Sequence, residues 1–324
     1  MTRQAALPKL LRPALQQVRT RVFDSARWAG YQPRPDDILI ATYSKCGTTW
    51  AQRIVSMLVF SSAAPRPVWE LSPWPDARFG PPIEALMAEA EAQTHRRFFK
   101  SHLPLSALPL YEDVKYLHVA RDGRDACMSL HNHLCNLTPD TLARFNAISR
   151  DDPKFGDPYP RVPGDAGAFF HDWIADDKVN GDNADPAASF FSVENSFWAE
   201  RRRANVLLVH YNDLKADREG EMRRIARFLD IEIPDALWPQ LVEAAGFEAM
   251  KRDGDALMPF AQFLWEGGSG RFLNKGTNGR WHDVVAKEDL ALYEAKVRSE
   301  FSPALARWIE NGRNIAGDPR DLPD

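Results

Sequence analysis

Hydrophobic positions along the chain alternate between short unbroken runs and longer stretches with helical spacing. Ile38-Leu-Ile-Ala41 is apolar throughout and only four residues long, which predicts a strand buried on both faces. A polar turn follows, and the apolar spacing beyond it predicts a helix over 48–60. The same reading predicts strands at 97–100, 115–120 and 205–211, and helices at 83–93, about 125–133, 219–229, 237–250 and 287–311. Strands that alternate with helices predict an α/β fold, with a central, mostly parallel sheet flanked by helices. Residues 63–82 read as a Pro- and Trp-rich connection. Residues 136–165, rich in Pro, Gly and Asp, read as a long surface excursion of the kind used for lids and binding loops.

The two ends stand apart from this pattern. In residues 1–25 the cations Arg3, Lys9, Arg12, Arg19 and Arg21 precede the first acid, and Leu7, Leu11, Leu15, Val18 and Val22 recur at helical spacing. This predicts a basic amphipathic arm, which suits either peripheral contact with a membrane or lipid substrate, or packing on its own domain. The domain proper is expected over 26–312, with a flexible tail over 313–324.

Composition narrows the function. Lys plus Arg number 41 against 45 for Asp plus Glu, a formal charge of −4, which argues against a nucleic-acid partner bound through a broad basic face. Cys46, Cys127 and Cys135 show neither CxxC nor Cys/His finger spacing, so no disulfide scaffold or structural metal is expected, and a reducing cytoplasm is the expected compartment. The best apolar run, 54–60, is far short of a bilayer span.

Chemistry concentrates in Tyr43-Ser-Lys-Cys-Gly-Thr-Thr-Trp50, between the first strand and its helix. A phosphate site needs a glycine for close backbone approach, free amides at a helix N-terminus and a cation. Gly47, Thr48, Thr49 and Lys45 supply these. The loop is P-loop-like but not a Walker A loop, because the lysine precedes the glycine. Lys100 and His102 close the second strand and Arg121 the third, with Ser129 eight residues on. In a parallel sheet such strand ends share one crevice. Arg121 offers a planar donor fork and Ser129 a hydroxyl for a phosphate. His131 and His133, two apart on a helix, do not face each other and give no metal pair.

Over about 26–311 these residues resemble the cytosolic-type sulfotransferases, which use 3′-phosphoadenosine 5′-phosphosulfate (PAPS). The family's 5′-phosphosulfate loop resembles Tyr43 to Trp50, its Lys-x-His-Leu-Pro motif resembles Lys100 to Pro104, and its 3′-phosphate motif resembles Val119 to Ser129. Trp28, Leu71-Ser-Pro-Trp74 and the stretch 93–100 are similar to bacterial members, a branch that includes glycolipid sulfotransferases. The resemblance implies a single P-loop-like sulfotransferase domain that moves a sulfuryl group from PAPS to the hydroxyl of a small-molecule or glycolipid acceptor, without a metal. It implies His102 as general base with Lys45 and Lys100 as catalytic cations. It further implies Lys45, Cys46, Gly47, Thr48 and Thr49 around the 5′-phosphosulfate, Trp50, Tyr211 and Phe247 around the adenine, and Arg121, Ser129, Asn274, Lys275 and Gly276 at the 3′-phosphate.

The sequence departs from the family pattern in three places. Asn274 stands where the family has arginine, with Arg271 or Arg280 as compensating cations. Cys46 replaces a common serine and is either a reactive thiol beside Lys45 or a packed core residue. The family's C-terminal dimerisation pattern is not legible, so the oligomeric state stays open. Two other readings remain: a catalytically impaired nucleotide-binding protein, and a nucleotide kinase, which should show Gly-Lys-Ser/Thr and a magnesium-binding acid. Aromatics such as Trp69, Trp74, Phe79, Phe145, Phe169 and Phe170 suit an apolar acceptor pocket or simple core equally.

Overall fold

The computed structural model describes residues 7–155, 158–159, 162–175 and 185–324. The apolar runs form one four-stranded parallel sheet in the order β3-β2-β5-β6, made of β2 (Ile38–Ala41), β3 (Phe98–Ser101), β5 (Lys115–Ala120) and β6 (Val206–His210). Along each strand alternate residues point to opposite faces. Ile38, Ile40, Phe98, Leu117, Val119, Leu207 and Val209 enter one core with the helices Thr48–Phe60, Arg218–Phe228 and Trp238–Ala244. Leu39, Ala41, Phe99, Tyr116, Ala120 and Leu208 enter the other, with helices Gly123–Leu134, Ala166–Ala175, Phe190–Ala199 and Pro303–Asn311. Coverage on both faces explains why β2 is apolar at every position. Each fully buried Leu, Ile or Phe contributes roughly 1.5–3 kcal/mol, so truncating Phe99 to Ala should cost about 3–5 kcal/mol.

Several expectations are corrected. The arm is not a helix: β1 (Leu10–Arg12) pairs antiparallel with β4 (Leu110–Tyr111), and bridges tie Arg19 to Asp24 and Phe23 to Ala77. Val18 and Val22 are buried while Leu7 and Leu15 are exposed, so the helical spacing reflects an extended strap with one residue set docked. Residues 1–6 lie outside the described residues. The 313–324 tail is docked rather than flexible: the buried Arg201 guanidinium donates to the Pro319 carbonyl at 2.7 Å, the Leu322 carbonyl at 2.9 Å and Asp324 Oδ1 at 2.6 Å.

Within the expected 136–165 excursion, Pro139–Arg150 is a helix, started by Thr138, whose side chain accepts from the Thr141 amide, with proline at its first position. The predicted 237–250 helix divides at Gly246. The predicted 287–311 helix divides where Phe301 turns extended, Ser302 caps and Pro303 restarts the spiral.

Candidate functional site

All four parallel strands end at one rim. Thr42 to Thr49 follow β2, His102 follows β3, Arg121 follows β5 and Tyr211 follows β6. Ser44, Lys45, Gly47, Thr48, Thr49, Trp50, Lys100, His102, Arg121, Ser129, Tyr211, Phe247, Asn274, Lys275 and Gly276 line a single cavity of about 940 Å³. Of the expected catalytic and cofactor-binding residues only Cys46 is absent from it. Its side chain is fully buried in the core and burial raises its thiol pKa, the opposite of a reactive thiolate.

The loop geometry explains the glycine. Gly47 has φ of 110° and ends the turn as N-cap of helix Thr48–Phe60 without any side-chain cap, so the helix amides face the cavity unblocked by a capping side chain. A Cβ at Gly47 would meet the Tyr211 ring at 3.2 Å. Lys45 is also left-handed, with φ of 68°, which swings its side chain inward. Its ammonium lies 4.0 Å from the Phe272 ring centroid and donates to His133 Nδ1 at 3.3 Å. Burial, with Lys100, Arg121 and Arg280 adding like charge, lowers the Lys45 pKa to about 7.

His102 donates from Nδ1 to the Thr42 carbonyl at 2.8 Å, which leaves Nε2 with its lone pair. Burial, then the Lys100 and Lys45 charges, press its pKa well below 6.5, so it is a neutral imidazole at physiological pH. Lys100 sits over the Trp74 ring at 3.5 Å, and burial lowers its pKa to about 7, with Asp76 opposing.

Arg121 is buried and stacked on Tyr211 at 4.2 Å. It donates to the Lys45 carbonyl and the Thr277 carbonyl at 3.2 Å, and to Asn278 Oδ1 at 2.8 Å. Its Nε and that of Arg280 are buried donors without an acceptor among the described residues. Such donors cost free energy unless an anion takes them up. Of the two cations expected to compensate for Asn274, Arg280 lines the cavity and Arg271 does not. Gly276, with φ of 63°, passes so close to Phe247 that a Cβ would stand 2.5 Å from that ring. Trp50 donates to the Ala245 carbonyl at 2.9 Å and meets Tyr211 edge-on at 5.3 Å, and both rings line the cavity.

Trp69, Trp74, Phe79 and Phe145 line the other half of the cavity, whereas Phe169 and Phe170 are core. Arg144 donates to the Phe79 carbonyl and the Phe79 and Phe145 rings lie 5.2 Å apart, which pins the 74–81 loop to helix Pro139–Arg150 as a roof. Sequence reasoning missed His133, Asp76 and Lys215. His133 lies four residues after Ser129 on one helix, so that pair shares a face, a signal obscured by comparing His133 only with His131. His131 turns instead to the Pro163 carbonyl at 2.9 Å. Among the described residues no three His, Cys, Asp or Glu side chains gather as a metal site, and no helix is long and apolar enough to cross a membrane.

Comparison with known proteins shows the family and the fold. Residues 35–302 match the family described as "Sulfotransferase domain". A glycolipid sulfotransferase of Mycobacterium tuberculosis is 32% identical over 316 residues, covering 91% of this chain and 94% of that protein. Sulfotransferase 1C2 of Homo sapiens is 26% identical over 277 residues, covering 80% of this chain and 81% of its own. In structure the chain is similar to a retinol dehydratase solved with androsterone and the inactive cofactor PAP, at a TM-score of 0.65 and 21% identity, covering 90% of this chain and 91% of the other.

Proposed function

The chain belongs to the sulfotransferase family and is an enzyme of sulfuryl transfer, and from that premise we propose that PAPS is its donor, that a hydroxyl on a small molecule or glycolipid is its acceptor, and that His102 is its general base. The observation that carries this reading is the junction of a glycine-opened anion loop, a neutral histidine with a free Nε2 and two half-buried lysines in one cavity.

The residues fit the proposed donor. Gly47, Thr48 and Thr49 suit a 5′-phosphosulfate, and Arg121, Ser129, Lys275 and Arg280 suit a 3′-phosphate. Arg121 Nε and Arg280 Nε, buried donors without an acceptor beside the cavity, support an anion there. Trp50, Tyr211 and Phe247 suit an adenine. The reaction forms a bond from the acceptor oxygen to sulfur and breaks the sulfur bond to the bridging oxygen of the phosphate. His102 Nε2 accepts the acceptor proton as that bond forms. Lys45 supports charge on the departing oxygen, held in place by His133. Lys100 adds charge near the transferring group in a low-dielectric site.

The kinase reading loses support, because residues 35–302 match the sulfotransferase family and the loop lacks Gly-Lys-Ser/Thr. A relative that acts on glycolipids and the aromatic half-cavity both support an acceptor with a large apolar body. The test is thermal-shift titration with adenosine 3′,5′-bisphosphate beside ATP and AMP, followed by PAPS with a panel of phenol, sterol, alkyl alcohol and glycolipid acceptors. Ligand at about 100 times its dissociation constant stabilises by about 2.7 kcal/mol. A selective shift with the 3′-phosphorylated nucleotide and sulfated product support the proposal; a shift with ATP alone overturns it.

A further inference from the structure

We propose that Asp76 is a positioning residue that holds the base His102 and the cation Lys100 in register through one carboxylate oxygen. Asp76 lies in the 72–81 connection and is fully buried. Its Oδ2 accepts from the His102 amide at 3.1 Å and from the Trp74 indole at 2.8 Å. Its Oδ1 accepts from the Trp28 indole at 3.1 Å, and the Ser101 side chain adds a further hydrogen bond. The indole and amide partners are all N–H donors, so the ionised carboxylate is the form these contacts satisfy.

The indole that Asp76 holds is the one beneath Lys100. Trp74 presents its face to the Lys100 ammonium at 3.5 Å and its ring meets the His102 ring edge-on, with centroids 5.0 Å apart at 89°. One buried anion therefore fixes the backbone of the base and the platform of the cation. It is also the acid facing Lys100, while Lys45, His102 and His133 bear on the same space from the loop, the β3 end and helix Gly123–Leu134. A cation over an indole in a desolvated site gains from the ring, but a full negative charge nearby decides whether it keeps its proton.

This inference rests on the reading of His102 and Lys100 as acting groups, and its test separates the two. Asp76→Asn keeps the shape and removes the charge. With PAPS and the acceptor that turns over fastest in the panel, kcat should fall about tenfold to a hundredfold, the scale of a small misplacement of reacting groups. The dissociation constant for adenosine 3′,5′-bisphosphate should stay within about twofold of wild type. The alkaline limb of kcat/KM should move to lower pH, because Lys100 loses its counter-charge.

His102→Ala and Lys100→Ala run alongside. Wild-type kcat and pH profile in Asp76→Asn, with His102→Ala inactive, overturns the Asp76 role alone. Equal loss of kcat, nucleotide affinity and thermal stability without a moved limb also overturns it. Full activity in both His102→Ala and Lys100→Ala overturns the underlying reading. Should Asp76→Asn fail to fold, Trp74→Phe keeps a ring under Lys100 and deletes the Oδ2 contact; a several-fold lower kcat at unchanged nucleotide affinity supports the role, and an unchanged kcat overturns it.

Discussion

The two halves of the cavity are built differently. The proposed phosphate half stands on the ends of four hydrogen-bonded strands and one helix N-terminus, and its groups are cations, backbone amides and a histidine with fixed partners. The proposed acceptor half is a roof of loop and helix, where Trp74, Phe79 and Phe145 meet through ring contacts and Trp69 packs edge-on against Trp265. Directional chemistry needs a rigid floor, since a displaced donor loses its hydrogen bond. Apolar recognition tolerates many side-chain sets of similar volume. Substitutions in the floor should therefore change chemistry and cofactor affinity steeply, and substitutions in the roof should change acceptor preference mildly.

The sharpest separation comes from His102→Ala. Turnover should fall by about 10²–10⁴-fold, while calorimetric affinity for adenosine 3′,5′-bisphosphate holds. Parallel loss of both would mean that His102 shapes the site rather than reacts in it. Next, Arg121→Ala should weaken the 3′-phosphorylated nucleotide by about 1.5–3 kcal/mol and AMP hardly at all, measured as two dissociation constants. Equal losses would move Arg121 away from the 3′-phosphate.

A pH effect of intermediate size follows from the lysines. Lys45 and Lys100, with pKa of about 7 in the free site, are both favoured as ammonium ions by a bound anion, so binding raises their pKa. Nucleotide binding at pH 7–8 should be accompanied by proton uptake onto the lysines, and affinity should fall as pH rises through that range, by at most about tenfold per pH unit for each linked proton. Calorimetry in buffers of different ionisation enthalpy measures the uptake; none would show that the lysines are charged throughout.

Asn274→Arg should restore a charge-assisted contact and tighten the nucleotide, up to about tenfold, unless Arg280 already saturates the phosphate. The smallest effect belongs to the roof. Phe79→Ala should alter acceptor KM a few-fold, on the order of 1 kcal/mol, with nucleotide affinity unchanged.

This contrast also governs what the sequence alone could reveal. The floor was legible because glycine, lysine, threonine and arginine at strand ends are dictated by anion chemistry, and the sheet followed from apolar runs such as Ile38–Ala41. Asp76 was not legible: its role depends on Trp28, Trp74 and His102 converging from three separate segments. Helix Pro139–Arg150 was hidden by weight given to Pro and Asp as loop formers, although Thr138-Pro139-Asp140 is an ordinary helix start. The strap escaped because an extended segment with docked Val18 and Val22 mimics helical spacing when its partner strand is far along the chain.

That distance carries a kinetic consequence. Val22 and Phe23 of the strap wall the cavity, and the Phe23 ring lies 5.6 Å from the ring of His102. The strap is anchored where Leu10 meets Tyr111, a closure over on the order of a hundred residues, and contacts of such high order form late because their entropy is spent before they are rewarded. In refolding from denaturant, helical signal should return before this wall closes. Regain of the nucleotide site should then precede regain of turnover, with an interval set by the docking of one short strand.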